Sequence, residues 1–446
     1  MIIRLFRWSA CALGIYVVGA LFGSWNIPRP ADSQGAPPKV EVAESEENLD
    51  SPRLAALAKE LKGGNRIAID QFWKEVQGKA PLVEPIAGAP RWSWVTFVWR
   101  GDEHTHMVGL AGGPPAAGST PLTRLADTDL WYRTERIRDD ARFVYWFHVN
   151  VPAKRPKDML GLEKLMSQHP PQPDPLNPRR YQKRSLVELP QAPPQPWVER
   201  LPGVARGNVS RYKIQSGVLR QERELTVYLP PGYDPNGPLC GLLIVFDGPP
   251  DDEPVTLDNL IASRKIPPLV AVFLNQIDRS GELSCSEPFA DFLAAELVPW
   301  ARKNYRVSPD PRRTIVRGTS LGGLMASYCA LRHPEVFGNV LSQSGSYQWF
   351  PGAAEGTATP DAEPGWLTHQ FVTAPRSATT FYLEAGNFEH SFPYSLLAEN
   401  RRFRDVLQAK GYTVHYSEFS GNHDPLNWRG TFATGLIALA GRERQK

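Results

Sequence analysis

Cysteine is scarce in this chain of 446 residues, and the four present, Cys11, Cys240, Cys285 and Cys329, form no metal-ligand spacing. No metal site and no cofactor is therefore expected. Cys240 and Cys285 are the pair that could bridge in an oxidising compartment, and three buried thiols are the other reading. A surplus of charge is also lacking. The formal net charge is +3, without the basic stripe of a nucleic-acid binder, so no nucleic-acid partner is expected. No internal repeat is evident. The apolar run from about Ser9 to Phe22 falls short of the ~20 residues that a transmembrane helix needs.

Proline, by contrast, is abundant, and its 43 copies gather in particular stretches. At the start, Arg4 and Arg7 precede the apolar run, and Gly23, Ser24, Pro28 and Pro30 follow it. That layout is an export signal. No small-x-small pair closes the run, so an uncleaved anchor, and with it membrane attachment, stays open; Cys11 lies too early to be a lipoprotein cysteine. Residues 1–25 are read as export signal or N-terminal anchor, which places the rest of the chain in the periplasm. Residues 26–53, rich in Pro, Glu and Ser, suit a disordered tether.

Residues 54–77 have a helical pattern, with Leu54, Leu57, Leu61 and Phe72-Trp73. From Trp92 to Val149, short runs rich in Val, Phe, Trp and Tyr alternate with turn residues, the mark of a small antiparallel sandwich. Residues 54–150 are accordingly a β domain, and the proline-rich 151–204 a linker. Residues 205–446 read as β/α. Strands are expected at Glu224–Leu229, Leu242–Phe246, Leu269–Leu274, Thr314–Arg317, Val340–Ser342, Thr380–Glu384 and Val414–Phe419. Apolar strands separated by helices make a mostly parallel sheet covered on both faces, and the fold class is α/β, of the α/β-hydrolase type.

The chemistry rests on Gly318-Thr319-Ser320-Leu321-Gly322, set between a strand-like and a helical run. A sharp strand-to-helix turn exposes a serine hydroxyl, and small residues fit two positions to either side of it. Ser320 is the candidate nucleophile. It needs a base, and His423, directly after the last expected strand, has the position and the chain order for one. The orienting carboxylate should lie between them in sequence. Glu389, three residues past the Gly386 turn, is preferred to Glu384 at the strand end, while Asp424 shapes its own turn. An oxyanion hole needs two N–H donors. Leu321 supplies one, and Gly248 is the candidate for the other, since Pro249 and Pro250 have none.

These motifs resemble the enterochelin esterase family, which hydrolyses the esters of ferric catecholate siderophores. The likeness runs over roughly residues 66–440. It rests on Gly318–Gly323, Val340–Tyr347, Leu383-Glu384-Ala385-Gly386 with Glu389, and above all Gly421–Gly430. In the front half it rests on Phe72-Trp73, Pro81–Glu84, Val95–Arg100 and Leu125–Asp129; the linker likeness is Asp174–Pro178 and Pro190–Pro193. The resemblance implies Ser320 and His423 as catalytic residues, Glu389 as orienting acid and a ferric catecholate as substrate. Familiar members carry Asp-Gly-Gln where this chain has Asp247-Gly248-Pro249, and cytoplasmic two-domain members have no leader. An anionic, aromatic substrate suits guanidinium and indole groups, so Arg317, Arg179, Arg180, Trp428 and Arg429 are candidate binding residues. Two other readings stay open: an esterase for hydroxycinnamoyl or carbohydrate esters, and a siderophore-binding protein with a decayed site.

Overall fold

The computed structural model describes residues 49–114, 119–152, 159–352, 363–390 and 395–441. The expected export segment and most of the tether lie outside the described residues. The chain divides into two compact units that part between Gln191 and Ala192.

The front unit opens with two helices, Pro52–Lys62 and Ile67–Val76, where the sequence pattern suggested one. The break falls at Gly63-Gly64, and Gly64 adopts a φ of 88° that ends the first helix cheaply. Two antiparallel sheets follow. One has the order β1 (Leu82–Pro85), β2 (Trp92–Arg100), β6 (Leu130–Arg138), β5 (Thr123–Arg124). The other runs β4 (Ser119–Pro121), β3 (Val108–Gly112), β7 (Arg142–Val149), β9 (Arg184–Glu188), β8 (Arg180–Tyr181). β2 shows how the layers form. Phe97 packs on Phe143 and Tyr145 of the second sheet, while Val98, pointing to the opposite face, packs with Leu54, Leu57, Phe72 and Val76 of the helices. The linker expectation needs correction. Residues 151–204 contain a helix, Met159–Gln168, and β8 and β9, and β9 pairs with β7. Prolines around those strands hid the short Arg184–Glu188 run.

The second unit is built on an eight-stranded sheet, ordered β10 (Asn208–Ser216), β11 (Gln221–Leu229), β13 (Leu269–Leu274), β12 (Gly241–Val245), β14 (Thr314–Thr319), β15 (Asn339–Gln343), β16 (Thr380–Gly386), β17 (Thr413–Phe419). β10, β11 and β13 pair antiparallel, and every pairing from β13 to β17 is parallel. Alternate residues feed two cores: Val316 and Val340 join one, Ile315 and Leu341 the other. That two-sided cover is why β12 and β13 read as unbroken apolar runs. β10 escaped the sequence reading because it is an edge strand exposed along most of its length, with the polar sequence Asn-Val-Ser-Arg-Tyr-Lys. Parallel strands all end at one edge, so the loops after β12 through β17 gather the chemistry there.

Candidate active site

Ser320 sits between β14 and the helix Leu321–Arg332, with φ 58° and ψ −123°. A non-glycine residue held there is strained, as a nucleophile on a sharp elbow is. The glycines around it are steric necessities. A Cβ on Gly318 would lie 2.2 Å from the backbone of Gly322, and one on Gly323 would lie 2.4 Å from Ser342 Oγ. The turn is tied by Ser320 N–H to Gln343 O at 3.0 Å, and Ser320 O accepts from Gly323 and Ser346 N–H, each at 3.0 Å. As the first residue of the helix, Leu321 has no intrahelical acceptor for its N–H.

His423 follows β17 in a short loop closed by Asp424, whose side chain caps the helix Pro425–Ala440 by accepting from Asn427 N–H. Its Nδ1 lies 3.4 Å from Glu389 Oε1, and Glu389 is buried. The contact is a close approach and not yet a hydrogen bond, for Nδ1 makes none within the protein; catalytic hydrogen bonds are often long or poorly aligned in unliganded enzymes. Ser344 Oγ donates to the same carboxylate oxygen at 2.6 Å, and Trp428 Nε1 donates to Ser344 Oγ at 3.0 Å. Trp428 also stands edge-on to the imidazole, 4.8 Å between ring centres. Two residues on, Ser346 Oγ lies 3.2 Å from Ser320 Oγ. The buried Ser344-Gly345-Ser346 loop after β15 thus touches the nucleophile on one side and the His423–Glu389 pair on the other. The sequence carried this motif in plain view, but nothing in it gave those serines a role.

Glu384 belongs to a different network. It is fully buried, accepting from Gln343 Nε2 at 2.8 Å, Thr431 Oγ1 at 2.5 Å and Tyr382 OH at 3.0 Å. Burial pushes its carboxyl up to about 7, against the pull of those donors and of Arg317. Glu389 is the carboxylate beside the imidazole.

Several expected binding residues are committed elsewhere. Arg317 is buried, donating Nε and Nη2 to Gln343 Oε1 at 2.9 and 2.7 Å and pairing with Glu253 at 3.2 Å. Arg429 donates to Gln195 at 3.1 Å and faces Asp252 at 3.5 Å. Trp428 is buried against His423 and Ser344 and offers no open stacking face. Arg179 and Arg180 lie in the front unit. Arg179 pairs with Glu188, and Arg180 holds the carbonyls of Asn177 and Asp174. Gly248 is a further correction: its N–H donates to Leu274 O at 2.9 Å, so the sheet edge already holds it. Asp247 and Arg279, which the sequence did not single out, form a two-pronged pair at 2.6 and 2.9 Å. Asp247 Oδ2 lies 3.5 Å from the position of a Cβ on Gly322, beside the first turn after Ser320. Cys240, Cys285 and Cys329 are free, buried thiols, so the Cys240–Cys285 bridge is not formed. Among the described residues no group of His, Cys, Asp or Glu is arranged to hold a metal ion.

A mostly parallel sheet flanked by helices, with a strained serine on the elbow after its central strand, defines an α/β-hydrolase. The esterase family model matches residues 216–439, and the model of the enterochelin esterase N-terminal domain matches residues 94–198. An iron(III) enterobactin esterase from Dickeya dadantii is 30% identical over 82% of this chain and 92% of its own. An iron(III) salmochelin esterase from Escherichia coli O6:H1 is 27% identical over 87% and 98%. The crystal structure of the enterobactin esterase from Shigella flexneri, in the presence of enterobactin, superimposes with a TM-score of 0.63 at 26% identity, covering 83% of this chain and 97% of that one. The chain is a carboxylic ester hydrolase and belongs to the enterochelin esterase family.

Proposed function

We propose that Ser320, His423 and Glu389 act as a catalytic triad that hydrolyses the ester bonds of a ferric catecholate siderophore of the enterobactin type, a cyclic tri-serine lactone. The observation that carries this reading is His423 Nδ1 against the buried Glu389, with the Ser344–Ser346 loop reaching from that pair to Ser320. The similarity to enterobactin and salmochelin esterases over more than four fifths of the chain supports the substrate. In the reaction Ser320 Oγ attacks the ester carbonyl while His423 Nε2 takes its proton. Glu389 holds the Nδ1–H and offsets the imidazolium charge. His423 then returns the proton to the departing serine alcohol, and water repeats the cycle on the acyl-enzyme. Opening the ring removes the preorganisation that holds three catecholates on one iron, which weakens the complex.

Mass spectrometry of products from ferric and iron-free cyclic tri-catecholate tests the reading. Each cut adds one water, so linear trimer, dimer and monomer should appear in turn. Cleavage of nitrophenyl or hydroxycinnamoyl esters with the lactone left intact would move the enzyme to other aryl esters. No cleavage of any ester would point to a binding protein.

The N-terminal segment supports a second part of the proposal: the enzyme is exported and works in the periplasm, after signal cleavage or on an uncleaved anchor. A fusion of residues 1–50 to a reporter that is active only after export should be active, and an inactive, intact fusion would refute export. Among the described residues no helix is long and apolar enough to cross a membrane.

A further inference from the structure

Trp428 Nε1, Ser344 Oγ and Glu389 Oε1 form a buried chain of hydrogen bonds that ends 3.4 Å from His423 Nδ1. Chemistry fixes the direction of each bond. An indole N–H only donates, so Ser344 Oγ accepts from Trp428 at 3.0 Å, and its own proton goes to the carboxylate at 2.6 Å. Ser344 and Glu389 are both shut off from water, at 0% and 2% exposure. Among the described residues Ser344 is the one hydrogen-bond donor to the Glu389 carboxylate, whose Oε2 has no partner. An ionised carboxylate out of water needs donors, and a hydrogen bond to a charged group is among the stronger kinds. Each carboxylate oxygen has room for two donors, so Ser344 and the imidazole can share Oε1.

The backbone around residue 344 is arranged to present that hydroxyl. Ser344 has a φ of 51°, in the left-handed region where glycine costs least and a side chain is strained. A serine at such a position points to a use for its hydroxyl. Three hydrogen bonds pin the loop: Ser344 N–H to Glu384 O at 2.8 Å, Asn400 Nδ2 to Gly345 O at 2.8 Å and Ser346 N–H to Ser320 O at 3.0 Å. Satisfying the Trp428 N–H would require no more than an acceptor. The second bond of the hydroxyl goes to the triad acid.

We propose that Ser344 is a positioning residue of the triad, whose hydroxyl, aimed by Trp428, holds the Glu389 carboxylate in place beside His423. The proposal rests on the triad reading above. Ser344 acts through Glu389: it keeps the carboxylate in the orientation that meets the imidazolium when His423 takes the serine proton. Its effect therefore belongs to the step that creates that positive charge, and ground-state binding of the ester is left alone.

Ser344→Ala removes the hydroxyl, and Ser344→Gly removes it while suiting the backbone at φ 51°. With the full chain and a nitrophenyl ester, kcat should fall about 10- to 100-fold in both, the factor that a hydrogen bond to a charged group is worth. KM should stay within threefold. Thermal unfolding checks that each variant is folded, and Ser344→Gly carries the test if Ser344→Ala is not. A double-mutant cycle with Glu389→Gln supplies the readout that a purely structural serine would not move. Once the charge at residue 389 is gone, the hydroxyl has nothing to hold for catalysis, so adding Ser344→Gly should lower kcat by less than threefold. A structural serine would cost the same factor in both backgrounds. Three results overturn the proposal: a folded variant with kcat within threefold of the parent, a loss confined to KM, or equal losses in the two backgrounds. Glu389→Gln alone separates the two levels. If its kcat matches the parent, the triad reading falls and this proposal with it; if it is impaired while Ser344→Gly is not, only the role of Ser344 falls.

Discussion

Ser320→Ala is expected to lower kcat by about 10⁴–10⁶-fold while leaving the thermal unfolding midpoint within a few degrees of the parent. The hydroxyl makes one short contact, to Ser346 Oγ at 3.2 Å. The turn itself is held by the backbone of residue 320, through Gln343 O, Gly323 N–H and Ser346 N–H, all of which alanine retains. Little packing is lost and the whole nucleophile is gone. His423→Ala should cost about as much, and the double variant little more than either alone, because a base without a nucleophile accelerates nothing. Steady-state rates on a nitrophenyl ester and on the ferric tri-catecholate check both statements. Ester turnover by Ser320→Ala within tenfold of the parent would sink the nucleophile assignment.

Glu389→Gln should reduce kcat by about 10²–10⁴-fold with KM little changed, since the carboxylate acts on the imidazolium formed during the reaction. The replacement keeps shape and can still accept from Ser344, but it removes the charge 3.4 Å from His423 Nδ1. Glu384→Gln should cost far less activity, because its oxygens face Gln343, Thr431 and Tyr382 and not the imidazole. Its signature lies in stability. The Glu384 carboxyl sits at about 7 in the folded protein, raised by burial, against 4.5 for an unperturbed glutamate. Folding therefore favours the protonated form. The stability that this proton brings is complete below the unfolded value and is lost as pH rises through about 7. Across that window the parent should lose on the order of 3 kcal/mol, and Glu384→Gln should flatten the slope. Urea midpoints measured from pH 4 to 8 read this directly, alongside kcat at a fixed pH. Equal kcat losses for the two variants would remove Glu389 from the triad.

The sequence by itself determined the features whose physics is local. The Gly318–Gly322 elbow is set within five residues, because a strand that turns at once into a helix leaves no room for a Cβ at Gly318. The two-sided burial of β12 and β13 likewise shows as continuous apolar runs, and chain order alone put His423 after the last strand. The front sandwich was legible from alternation, though the prolines around β8 and β9 concealed where it ends. Apart from Glu389 with His423, expected from the turn after Gly386, partnership between distant polar groups was not legible. Arg429 meets Gln195 from 234 positions away, Arg317 is enclosed by Gln343 and Glu253, and Gly248 N–H is taken by Leu274. Each reads in sequence as an available cation or amide, yet only the fold decides whether an acceptor stands opposite it. The same rule put Ser344 between Trp428 and Glu389. A hydrogen bond is a matter of 3 Å and an angle, and residues far apart in the chain acquire those only when the strands and loops that carry them are packed together.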